Sequence, residues 1–120
     1  EMAPFGVVGA ITPSTNPSET VICNSIGMIA AGNGVVFNPH PNAKEVANYA
    51  VDLVNRGIIA AGGPENLVVT VKNPTKESSD EMMAAPCVKM LVATGGPGVV
   101  KAVCIPHHSA FLGLMDFLTF

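Results

Sequence analysis

Short apolar runs alternate with helix-like stretches along the whole chain, and this alternation constrains the fold more than any other feature. Val7–Thr12 (VVGAIT), Gly34–Phe37 (GVVF), Leu67–Val71 (LVVTV) and Val88–Ala93 (VKMLVA) are rich in β-branched residues and bounded by Gly, Pro or Asn, so each predicts a strand. Between them Ser18–Ala31, Ala43–Ala61 and Thr75–Ala85 predict helices, and a further helix begins within Val99–Val103. The order βαβαβαβ(α) implies right-handed crossovers and a parallel sheet with helices on both faces. Uninterrupted apolar strands suit a sheet that is covered on both sides.

The helices carry further expectations. Glu19 falls in the first turn of the first helix, and Gly32 lies just past its end. Its apolar residues Val21, Ile22, Ile26, Met28 and Ile29 lie nearly all round, which predicts a helix buried on most sides with Cys23 in the core. In the second helix Val46, Tyr49, Ala50, Leu53 and Val54 are expected to share the buried face, opposite Lys44, Glu45, Asp52 and Arg56. Gly62-Gly63-Pro64 ends it. Cys104–Phe120 is different in kind: it holds one charge, Asp116, and no clear period.

Composition excludes several functions. Of 120 residues 12% are charged and 48% hydrophobic, with a net charge of −3, where average soluble domains carry about 25% charged residues. High apolarity with low net charge argues against disorder. An acidic chain without a Lys/Arg cluster has no electrostatic footprint for nucleic acid. With no Trp and only Tyr49, it also lacks aromatic stacking platforms. Cys23, Cys87 and Cys104 are odd in number and far apart, which argues against a disulfide framework and for a reducing compartment. No basic segment precedes an apolar one as a signal peptide would require. The uncharged stretch between Glu19 and Lys44 is broken by Gly32-Asn33-Gly34, Pro39 and Pro41, so it reads as a buried α/β segment rather than a membrane span. The charge deficit itself implies either that the chain sits inside something larger or that it is poorly soluble alone.

Open parallel sheets bind ligands beyond the carboxyl ends of their strands. Those ends are Thr12–Pro17, Asn38–Pro41, Val71–Pro74 and Thr94–Gly98. Thr94-Gly95-Gly96-Pro97-Gly98 follows a strand and opens a helix, where free N–H groups can hold a pyrophosphate; a plain tight turn would use the same residues. Pro13-Ser14-Thr15-Asn16-Pro17 supplies helix-capping residues, and Asn16 could also donate to a developing oxyanion. His40 lies between prolines and suits either a structural or a ribose-contacting role. Cys104-Ile105-Pro106-His107-His108 lacks the spacing of a zinc site, so no metal is expected.

Taken together, these motifs resemble the aldehyde dehydrogenase superfamily. The segments are PFGVVGAITPSTNP from Pro4, AGNGVVFNPHP from Ala31, AGGPENL from Ala61 and ATGGPGVVKA from Ala93. The Pro-His-Pro and Thr-Gly-Gly-Pro-Gly forms are similar to its CoA-acylating branch, which includes propionaldehyde and acetaldehyde dehydrogenases of bacterial microcompartments. The resemblance covers Ala3 to Val103 and implies a fragment of a Rossmann-like NAD-binding domain over residues 1–103, an incomplete domain of a larger enzyme, with residues 104–120 an apolar tail of unknown relation.

The resemblance implies that Ile11, Thr12 and Pro13 line the nicotinamide side. Asn38, Pro39, His40 and Pro41 would lie by the adenosine ribose, Gly62 and Pro64 near adenine, and Thr94, Gly95, Gly96 and Val99 by the pyrophosphate. Many relatives have Lys where Asn38 stands. Ungapped alignment sets Thr15, not Asn16, at the family's oxyanion-hole Asn, so both are candidate catalytic residues. The implied cofactor is NAD, with NADP left open because no acidic residue follows the second strand; CoA would be a co-substrate. The family's nucleophilic Cys lies in a separate catalytic domain downstream, so this chain alone is expected to be inactive. The implied setting is cytoplasmic or inside a microcompartment, as a homo-oligomer acting on a small aldehyde, without nucleic acid or membrane. The rival expectation is a truncated or misread non-catalytic module that self-associates through its apolar tail.

Overall fold

A computed structural model, describing residues 3–104 and 110–115, joins the strands into one sheet. The strands are β1 (Val7–Thr12), β2 (Gly34–Pro39), β3 (Val68–Thr70), β4 (Val88–Gly95) and β5 (Ala110–Met115), in the spatial order β3-β2-β1-β4-β5. Every pairing is parallel. The helices are α1 (Pro17–Ala30), α2 (Lys44–Ala60), α3 (Lys76–Ala84) and α4 (Pro97–Cys104), with a 3-10 turn, Pro41–Ala43, before α2. The chain steps outward from β1 to β3, then returns across the sheet to β4. Right-handed crossovers therefore set α1 and α2 on one face and α3 and α4 on the other.

Each face has its own core, because successive strand residues point to opposite sides. Ala10, Val35, Phe37 and Val68 meet Val21 of α1 and Ala47, Ala50 and Val51 of α2. On the other face Val88, Leu91 and Ala93 meet Met82 of α3, with Val7, Ile11 and Val36 packed alongside.

The helix ends follow from their residues. Gly32 and Gly62 adopt φ of 88° and 87°, the left-handed conformation that a Schellman cap requires. After α1, Gly32 N–H donates to Ile29 O at 2.9 Å and Asn33 N–H to Met28 O at 2.9 Å. After α2, Gly62 N–H reaches Ile59 O at 3.0 Å and Gly63 N–H reaches Ile58 O at 2.8 Å. Buried Asn33 ties that first corner down: its Oδ1 accepts the N–H groups of Phe5 (2.7 Å) and Gly6 (3.1 Å). A capping box of Thr75 and Ser78 opens α3.

Several expectations need correction. Helix α1 is not buried on most sides: Ile26 is 65% exposed, Ile22 is exposed, and so is Cys23. A helix lying on a sheet buries one stripe, here centred on Val21 and Ser25, and nothing among the described residues covers its back. In α2 the buried stripe is Ala47, Ala50 and Val51, with Val54 and Ile58 packed against it. Val46, Tyr49 and Leu53 face outward, Tyr49 at 62% exposure. The helix is held at this rotation by two asparagines on the β3 side. Asn55 Nδ2 donates to Val68 O at 2.6 Å while its Oδ1 accepts Val68 N–H at 3.4 Å. Thr70 Oγ1 donates to Asn48 Oδ1 at 2.8 Å. Strands β2 and β4 each run two residues past their predicted ends, which brings Asn38 and Thr94 into the sheet. The sequence indicated no strand after α4, yet Ala110–Met115 pairs with β4. The metal reading of Cys104–His108 falls largely on residues 105–109, outside the described residues. No helix among the described residues is long and apolar enough to cross a membrane.

Candidate functional site

The direction of the sheet reverses between β1 and β4, and at such a switch point the loops diverge and leave a crevice. A cleft of about 640 Å³ opens there at the carboxyl ends of the strands. That volume lies within the usual range for small-molecule sites, about 300–1,000 Å³.

The strands supply the floor. Ile11 pairs with Ala93, one residue before Thr12 and Thr94 on neighbouring strands. Both threonines line the cleft. The hydroxyl oxygens Thr12 Oγ1 and Thr94 Oγ1 are buried and have no hydrogen-bond partner in the protein. Asn24 Nδ2 and Ser25 Oγ of α1 are likewise buried without a partner, so what sets the two threonines apart is their place on neighbouring strands at the cleft.

The turn after β4 forms one wall. Gly95, Gly96 and Val99 line the cleft, and Gly96 O accepts the N–H groups of Val99 (3.1 Å) and Val100 (3.3 Å) as α4 begins. A Cβ on Gly96 would meet nothing within 4 Å, and its φ is not in the left-handed region. Neither packing nor backbone conformation demands glycine there. The residue type suits close approach of a ligand to the backbone. Gly9 shows the opposite case: a Cβ there would lie 3.0 Å from Leu91 Cδ2 and 3.1 Å from Val88 Cγ1, so packing requires it.

The end of β2 forms another wall. Asn38, Pro39, His40 and Pro41 line the cleft. Asn38 is buried, and its Oδ1 accepts the Ser78 hydroxyl at 3.0 Å, which ties β2 to the first turn of α3. His40 Nδ1 accepts the Asn42 N–H at 3.1 Å and caps the 3-10 turn. In the neutral ring this puts the proton on Nε2.

Most of the expected cofactor residues thus gather in one place: Ile11, Thr12, Pro13, Asn38, Pro39, His40, Pro41, Thr94, Gly95, Gly96 and Val99 all line the cleft. Gly62 and Pro64 do not. Gly62 caps the C-terminus of α2, and α2 runs against the strands, so both residues lie at the opposite edge of the sheet. Thr15 and Asn16 also stand outside the lining. Asn16 is the N-cap residue of α1 without a side-chain capping bond. Its Oδ1 accepts the Thr15 hydroxyl at 3.2 Å and its backbone carbonyl accepts the Thr20 hydroxyl at 2.8 Å. Close by, the backbone N–H of Glu19 and the Ser18 hydroxyl hold the Glu19 carboxyl below its usual range.

The wall from α3 was missed. Pro74, Thr75, Lys76, Ser79, Asp80 and Met83 line the cleft, and Ala102 of α4 joins them. Their sequence reads as a turn and a capped, charged helix. The available signal was positional: Val71–Pro74 is one of the strand ends at which such sites form.

A parallel sheet reversing at β1/β4, with its cleft at the carboxyl edge, defines a Rossmann-like α/β domain. Residues 1–110 match the aldehyde dehydrogenase family, and the chain belongs to that family. It is 56% identical over 102 residues to acetaldehyde dehydrogenase (acetylating) EutE of Escherichia coli K12, covering 85% of this chain and 22% of that protein. Propionaldehyde dehydrogenase of Rhodopseudomonas palustris, solved with bound propionyl-CoA, superposes with a TM-score of 0.91 at 57% identity, over 97% of this chain and 25% of that one. A propionaldehyde dehydrogenase from the Clostridium phytofermentans fucose utilisation bacterial microcompartment gives 0.90 at 55% identity, over 94% and 26%. The chain thus spans about a quarter of the length of these relatives.

Proposed function

We propose that this chain is the dinucleotide-cradling part of a CoA-acylating aldehyde dehydrogenase acting on a small aldehyde. The observation that carries this reading is the cleft at the β1/β4 switch point, lined by Thr12 and Thr94, whose buried hydroxyls have no partner in the protein, and by an unobstructed glycine. The residues fit a nicotinamide dinucleotide. Ile11, Thr12, Pro13 and Thr94 would take the nicotinamide side, Gly95, Gly96 and Val99 the pyrophosphate, and Asn38 to Pro41 the ribose. When bound, the nicotinamide would accept the hydride released as the aldehyde is oxidised.

The chain's own contribution is to bind, to orient and to exclude water. Apolar Ile11, Pro13, Pro39 and Val99 shape the cleft, and the hydroxyls supply direction. Thr15 and Asn16 stand just beyond Pro13, where Asn16 Nδ2 remains the donor end of its amide for an oxyanion. The acylating names of the relatives and the propionyl-CoA held by the Rhodopseudomonas enzyme support CoA as the acyl acceptor. The Clostridium relative supports a place inside a microcompartment. The outward apolar residues Ile22, Ile26, Val46, Tyr49 and Leu53 favour a chain whose α1/α2 face is covered in an assembled enzyme. Cys23 and Cys87 both lie outside the cleft lining, and the resemblance puts the family's nucleophilic Cys in a downstream catalytic domain, so these 120 residues alone are expected not to acylate.

The test is thermal melting of the chain against NAD⁺. A ligand that binds only the folded state at 100 times its Kd stabilises by about 2.7 kcal/mol. No change in midpoint at millimolar NAD⁺ rejects the dinucleotide reading and favours the self-associating module. Sustained NADH production from propionaldehyde and CoA by the chain alone would overturn the assignment of the nucleophile elsewhere.

A further inference from the structure

The ribose end of the cleft carries an inference that rests on the dinucleotide reading and deepens it. In doubly wound sites an acidic residue near the end of β2 takes the ribose 2′-hydroxyl and repels a 2′-phosphate. This chain has no Asp or Glu between Glu19 and Glu45. Its β2 ends at Asn38 and Pro39. Asn38 Oδ1 is already engaged by Ser78, and Pro39 has no N–H to donate.

The donors at this end suit an anion. Lys76 opens α3 and lines the cleft, two residues before the Ser78 that is bonded to the end of β2. His40 lines the facing wall. Lys44 stands behind it, with Nζ 3.3 Å from Asn73 Oδ1. The one carboxylate in the described lining is Asp80, a turn further along α3, and it forms no ion pair with Lys76. Lys76 therefore stands without an ion-pair partner on the cleft wall that Ser78 ties to the end of β2, where no carboxylate is present to repel phosphate.

We propose that the cleft accepts 2′-phosphorylated dinucleotides as readily as unphosphorylated ones, with Lys76 reading the phosphate. The experiment titrates NADP⁺ and NAD⁺ against the chain, its K76E variant and its K76Q variant, at low ionic strength where surface charge is least screened. The expected result is an NADP⁺ Kd no more than threefold above that of NAD⁺. The Kd ratio of NADP⁺ to NAD⁺ then rises threefold or more in K76E and by a smaller factor in K76Q. Lys76 is exposed, so neither variant disturbs the core. NADP⁺ binding more than threefold weaker than NAD⁺ in the unsubstituted chain, or a ratio that K76E moves by less than threefold, overturns the inference and leaves the dinucleotide reading intact. Binding of neither dinucleotide overturns both.

Discussion

Replacing Thr12 by Val should move stability and affinity in opposite directions. Thr12 is 2% exposed, and its Oγ1 is buried without a partner in the protein. An unsatisfied buried polar group costs about 1–3 kcal/mol. Valine keeps the branched shape and replaces the hydroxyl with a methyl group, whose burial adds about 0.8 kcal/mol. The T12V chain should therefore be more stable than the unsubstituted chain by about 2–4 kcal/mol. At this size that raises the melting midpoint by about 6 °C or more. The same change removes a hydroxyl that the ligand would satisfy. One net hydrogen bond is worth about 0.5–1.5 kcal/mol, so dinucleotide affinity should fall by about two- to tenfold. Scanning calorimetry gives the first quantity and a NAD⁺ titration the second. A lower midpoint would mean that the hydroxyl is satisfied in the free protein. A higher midpoint with unaltered affinity would mean that Thr12 does not face the ligand.

Two other substitutions separate site from scaffold. G96A should change stability by at most about 1 kcal/mol, the scale of an N-cap exchange, because its Cβ meets nothing within 4 Å; dinucleotide binding should fall at least tenfold, and unchanged binding would exclude close approach at that turn. N55A removes both bonds to Val68 and should lower the urea midpoint by the equivalent of about 1–3 kcal/mol, so a loss under about 0.5 kcal/mol would show that the asparagine does not hold α2 against the edge strand.

What the sequence determined by itself is the order of elements and their punctuation. β1 begins and ends where its apolar run does, and the glycines past α1 and α2 mark caps that need a left-handed residue. These are local properties, set by residues within a few positions of one another. The strand ends also named where a cleft opens, and Thr12, Thr94 and Gly96, which line it, were legible there. The tertiary structure decided which way each helix turns. The apolar residues of α1 run nearly all round it and those of α2 run wide, so periodicity alone could not choose between Val46–Tyr49–Leu53 and Ala47–Ala50–Val51. The choice falls to long-range contacts, the bonds from Asn48 and Asn55 to β3 and the close seat that alanine allows on the sheet. The same holds for the cleft wall from α3. Lys76 and Asp80 come to the site because the chain returns across the sheet from β3 to β4, and no local pattern records that crossing. Gly62 and Pro64 fail to reach it for the matching reason: α2 runs against the strands and carries them to the far edge.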